Sequence, residues 1–186
     1  KFSEMLTSPQ NKINDDYFDM FSIYNISEKT ITDKAPQNFR WIGFMKVFFP
    51  NCKVIHCHRN SKDNCLSIFK NNFASSSMNW TYDEKNISTY FNLYSDLMKF
   101  WKSNIPNFIH DVEYEKLVNN KEGEIKKILN FCELDWDERC LNPHKNSKTP
   151  IKTVSINQAR KPIYKSSLNS NSRYDKYLKK MFDALN

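Results

Sequence analysis

"VIHCHRNSKDNCLSIF", residues 54–69, decides how the chain is read. Lys53 to Cys57 alternates with β-branched residues, which predicts a short buried strand, and Asp63 to Phe73 returns to helical spacing. Arg59 falls immediately beyond the strand, and Ser67 follows eight residues later on the helix. Further on, "NFIHDVEYEKLV" predicts a second strand near Phe108 to Val112 and then a short helix. "KEGEIKKILNFCEL" predicts an amphipathic helix with Ile125, Ile128, Leu129 and Cys132 facing inward. Helices alternating with strands in this order imply an α/β fold on a parallel sheet, whose ligands belong at the carboxyl ends of the strands. A guanidinium there can grip a phosphate with two parallel bonds, and a helix hydroxyl can add a third. A strand-end arginine can equally meet solvent or a helix end.

The flanking segments extend this pattern. Asp15 to Phe21 and Gln37 to Phe49 carry helical patterns, the second bounded by Pro36 and Pro50. Asp83 to Lys102 gives the longest helix, with Tyr90, Tyr94, Leu97 and Trp101 as a core stripe. From Asn142 to Ser172 the periodicity is lost, so 142–172 is expected to be a long loop over the site, and Ser172 to Leu185 closes with a helix. No repeat or linker divides the chain, which predicts one domain over 1–186.

Composition narrows the function classes. A net charge of +7 favours an anionic partner. Nucleic acid is not expected, because no zinc-finger spacing, aromatic RNA-binding motif or basic heptad accompanies that charge. The mean hydropathy of −0.73 and the lack of a long apolar run argue against a membrane span. The cysteines (Cys52, Cys57, Cys65, Cys132 and Cys140) are odd in number and lack a disulfide framework, which favours a reducing compartment. A bacterial cytoplasm is expected, with a secretory-pathway lumen second. Near the first strand, Cys52, His56, Cys57, His58 and Cys65 suggest zinc. On a strand, however, His56 and His58 share one face while Cys57 points to the other, so core roles and no metal are expected.

Other segments complete an ordered set: "TDKAPQNF" with Lys34, "VEYEKLV" with Tyr114, "WKSNIPNF", and "VSINQARKPIY" with Ser155 and Lys161. Together with "FFPNCKVIHCHRNSKDNCLS", this order resembles the sulfotransferases from about Ile31 to Ile163. It looks closest to tyrosylprotein sulfotransferases and to bacterial sulfotransferases carrying tetratricopeptide repeats. The resemblance implies transfer of a sulfuryl group from 3′-phosphoadenosine 5′-phosphosulfate to an acceptor hydroxyl, on a protein tyrosine, a glycan or a small molecule. It assigns Arg59 and Ser67 to the nucleotide 3′-phosphate and Tyr114 to the nucleotide. Lys34 and Ser155 face the reacting sulfate, and Glu4 stands as general base. Asp33 and Glu115 are the alternative acids, as a helix cap and a first-turn residue. Lys161 contacts phosphate or covers the site.

The chain departs from that family in one large respect. Sulfotransferases cradle the 5′-phosphosulfate with a glycine-containing loop, where backbone N–H groups approach the phosphate closely. This chain has two glycines, Gly43 and Gly123, both in predicted helices. The fold is therefore expected to be of the P-loop-like kind, incomplete on its amino-terminal side, with a helix-rich remainder and a missing amino-terminal segment as its partner. Asn71 and Asn171 stand where relatives show a basic residue and a tryptophan, with Lys70, Lys165 or Arg173 as substitutes. A scaffold that kept the fold and lost the donor loop, binding nucleotide or protein without catalysis, is the alternative function.

Overall fold

A computed structural model of the chain describes residues 15–19, 30–73, 75–146, 165 and 167–186. A helical turn, α1, covers 15–19. A 3-10 turn at Asn38–Trp41 leads into α2 (Ile42–Phe48), which stops before Pro50. Then come β1 (Val54–His58), α3 (Ser61–Lys70), a 3-10 segment at Ser76–Tyr82 and the long α4 (Glu84–Asn104). β2 (Ile109–Glu113) passes directly into α5 (Tyr114–Asn119) and α6 (Lys121–Phe131). After these stand α7 (Pro143–Asn146) and α8 (Lys179–Asp183). The two strands pair as a parallel sheet, each one residue later than its expected position.

Contacts gather the chain into two units, Lys1–Val54 with Leu97–Ile109, and Ile55–Asp96 with His110–Asn186. In the first unit, Ile42 is buried on α2 and Met98 on α4. Trp101 reaches back to donate its indole N–H to the Phe39 carbonyl at 2.9 Å. Gly43 is the residue that permits this approach, because a Cβ there would stand 2.7 Å from Trp101 Cη2.

In the second unit the core joins distant segments: Cys65 and Leu66 from α3, Ile87 from α4, and Leu178, Met181 and Phe182 around α8. Burying each aliphatic or aromatic side chain of this kind contributes about 1.5–3 kcal/mol. Asp83 Oδ1 accepts from the Asn86 backbone N–H at 2.8 Å, a side-chain cap that starts α4. Asn120 likewise caps α6 through the Gly123 N–H. Gly123 has no side chain to collide with it, whereas a Cβ would lie 2.4 Å from Asn120 Nδ2.

Several expectations need correction. Ser172 to Leu185 is not one helix but a 3-10 segment at Ser170–Tyr174, a turn, and then α8. On α6 the residue that is buried is Glu124, which pairs with Lys127 at 2.6 Å, while Ile125, Ile128, Leu129 and Cys132 are half-buried. Tyr90, Tyr94, Leu97 and Trp101 are also half-buried, and Ile87, Ser88 and Met98 are the buried residues of α4. Asp33 does not cap a helix; its Oδ2 accepts from the Asn38 side chain at 3.4 Å. Within 142–172, Pro143–Asn146 is helical, and 147–164 and 166 lie outside the described residues. No helix among the described residues is long and apolar enough to cross a membrane.

Candidate functional site

Because β1 and β2 run parallel, their carboxyl ends lie side by side, and each feeds the N-terminus of a helix. The two exits are tied together: the Asn60 backbone N–H donates to Glu115 Oε1 at 2.9 Å, with Glu115 in the first turn of α5. Asn60 also caps α3, its Oδ1 accepting from the Asp63 N–H at 3.1 Å. Glu115 Oε2 is buried without a hydrogen-bond partner among the described residues.

Arg59 stands in this exit, immediately after β1, with its side chain 24% exposed. Its Nη2 lies 4.0 Å from Asp63 Oδ2, beyond hydrogen-bond range, so this ion pair leaves the guanidinium fork able to turn toward an anion. Ser67 is half-buried on α3, one turn beyond Asp63 and so on the same side of the helix. Tyr114 opens α5, and its Oη accepts from Ser167 Oγ at 3.2 Å.

Asp63 has the densest set of partners at this end of the sheet. Its carboxylate is 1% exposed and accepts from the Asn169 N–H (2.8 Å), Ser170 Oγ (2.9 Å), the Asn171 N–H (2.8 Å) and Asn171 Nδ2 (2.9 Å). Burial alone would raise its pKa, but the side-chain and backbone bonds from Asn171, the Ser170 hydroxyl and the nearby Arg59 charge together hold it below the ordinary carboxylate value. Asn169 adopts the left-handed conformation (φ 54°), which asparagine tolerates and which shapes the turn presenting these donors. Segment 167–171 thus contacts the chain beyond both strands, through Tyr114 and through Asp63.

This clamp is not legible in the sequence. The Asn60 cap with an acid three residues on was a local signal, but the partners of Asp63 lie more than a hundred residues away in a run that read as loop. Asn171 is committed to Asp63, and Asn71 donates to the Ser67 carbonyl at 2.7 Å. Of the proposed substitutes, Lys70 sits over the Tyr174 ring, while Lys165 and Arg173 are exposed. Lys34 is exposed in the first unit. Glu4, Ser155 and Lys161 lie outside the described residues. His56 and His58 share a face, as expected. Cys57 is exposed, and Cys65 is buried in the core, its thiol pushed up to about 12 by desolvation.

Comparison with known proteins decides the family, since residues 2–138 match the sulfotransferase family. The chain belongs to the sulfotransferase family. An uncharacterized protein of Aquifex aeolicus (strain VF5) is 37% identical over 171 residues, covering 91% of this chain and 22% of that protein. Two nematode proteins, each named "Putative protein-tyrosine sulfotransferase", are also similar. That of Caenorhabditis briggsae is 27% identical over 61% of this chain and 40% of its own length; that of Caenorhabditis elegans is 26% identical over 60% and 42%. The chain therefore spans about a fifth to two-fifths of these relatives.

Proposed function

We propose that this chain supplies the 3′-phosphate grip and part of the catalytic surface of an enzyme moving a sulfuryl group from 3′-phosphoadenosine 5′-phosphosulfate to an acceptor hydroxyl. The observation that carries the reading is Arg59 at the carboxyl end of β1 with Ser67 on α3, beside the exit of β2 where Tyr114 stands. In this reading Arg59 forks onto the 3′-phosphate, Ser67 adds a neutral donor, and Tyr114 contacts the nucleotide. Lys34 offsets charge growing on the bridging oxygen, Ser155 assists it, and Glu4 takes the acceptor proton. A protein tyrosine is the acceptor class that the nematode names suggest, and the enzyme works in a reducing compartment, in keeping with five free cysteines.

One observation favours a second, nonenzymatic reading. Both glycines are built into helices, Gly43 beneath Trp101 and Gly123 beside its Asn120 cap, so neither is placed in a phosphate-cradling loop. Calorimetry with 3′-phosphoadenosine 5′-phosphate and with adenosine 5′-phosphate tests the grip itself. Arg59→Ala is expected to cost about 1.5–3 kcal/mol against the first nucleotide and little against the second, which lacks the 3′-phosphate. Ser67→Ala should follow with a smaller loss. Equal losses for both nucleotides would reduce Arg59 to a structural residue and remove the main support for the reading.

A further inference from the structure

The sheet itself holds a second constellation, in which His56 and His58 on β1 meet Asp111 on β2. One ligand atom from each lies within 4.8 Å of the others. Residues two apart on a strand project to the same side, which is why two histidines and not the intervening Cys57 take part. Parallel pairing with β2 supplies the carboxylate, a contact that the spacing within residues 52–65 could not reveal. We propose that His56, His58 and Asp111 form a mononuclear site for a borderline divalent transition metal of the zinc class. This inference is independent of the sulfuryl-transfer reading.

The groups around His56 are arranged as such a site requires. His56 Nδ1 lies 2.6 Å from Asp111 Oδ1, and its Nε2 lies 2.5 Å from Tyr94 Oη. Zinc bonds of about 2.0–2.1 Å in tetrahedral geometry place neighbouring ligand atoms about 3.3 Å apart, so the His56–Asp111 pair needs to open by only about 0.7 Å. A cation taking the place of the proton between them leaves Nε2–H donating to Tyr94, the outer-shell bond that fixes a metal-bound imidazole. The rings of His56 and His58 stack with centroids 5.2 Å apart, which brings the second imidazole alongside the first. The Asp111 side chain is 41% exposed, so a fourth position opens toward solvent and admits water or an anionic group. Two imidazoles and one carboxylate suit zinc, cobalt or nickel, whereas magnesium and calcium call for a wholly oxygen shell.

Titration of the full chain with Co²⁺, followed by its visible ligand-field bands, and with Zn²⁺ by calorimetry, tests the proposal. One ion is expected per chain, with a dissociation constant of about 1 μM or tighter and no comparable binding of Mg²⁺. His58→Ala and Asp111→Asn should each weaken binding about 10–100-fold. His58→Ala leaves the Tyr94–His56–Asp111 chain in place, and circular dichroism of both variants separates lost ligation from lost fold. Zn²⁺ should raise the Tm of the parent and not of the variants, while Arg59→Ala should bind the metal as the parent does. Absence of saturable Co²⁺ binding, or equal affinity in the parent and both variants, would overturn the site.

Discussion

At the residue scale Asp63 has the largest stake in the structure, because a buried carboxylate is tolerated only when its lone pairs are filled. Four donors from 169–171 fill them, and its folded-state pKa is lowered. Its contribution is therefore fully present above the ordinary carboxylate value of about 3.9 and is lost as pH falls through the lower folded value. Asp63→Asn replaces one acceptor with a donor facing other donors, and should lower stability at pH 7 by about 2–4 kcal/mol. The variant should also lose part of the parent's destabilisation below pH 4. Urea unfolding of both proteins at pH 7 and pH 3.5 checks this, and an unchanged difference between the two pH values would count against the clamp. The placement of Arg59 just past the strand and of Ser67 on the helix was legible from the sequence, because both lie within one strand–helix unit. Asp63 was not, since an acid in the first turn of a helix is ordinarily satisfied by that helix.

Elements were legible where their cause is local. β1, β2 and α4 stand within two residues of their expected bounds, since alternation, an Asp cap and a long period are all written in adjacent residues. α3 ends at Lys70 instead of Phe73 for a tertiary reason. Asn71 turns its amide back to the Ser67 carbonyl, and the Phe73 N–H is taken by Tyr82 Oη at 3.0 Å. The start of the expected carboxyl-terminal helix is instead a 3-10 segment, Ser170–Tyr174, whose entry is held on Asp63 through Asn169 and Asn171. The packing of α2 against Trp101 gives a test at this scale. Gly43→Ala would press a methyl group against an indole held by its bond to Phe39, and should destabilise by about 1–3 kcal/mol despite alanine's better helix propensity. Tryptophan emission should shift as Trp101 is displaced, and a stabilised variant would show that the ring moves aside freely.

Across the whole molecule, the second unit closes only when segments far apart in sequence meet. Met181 is fully buried against that core, so Met181→Ala should cost about 2–5 kcal/mol in chemical denaturation, and a loss below 1 kcal/mol would show that α8 is loosely seated. Family membership was legible from the ordered motifs, while the His56–Asp111 pair was not, because it depends on which strands become neighbours. The clamp on Asp63 also imposes an order in time. A ribosome adding about 5–20 residues per second needs about 5–20 s to pass from Asp63 to Asn171, 108 positions later. Throughout that interval the nascent chain shows Leu66 and Ile87 uncovered and a carboxylate without its partners. Changes to residues 167–182 leave that interval as it is and act only afterwards, by prolonging the exposed state when a weakened clamp or core is slow to close it.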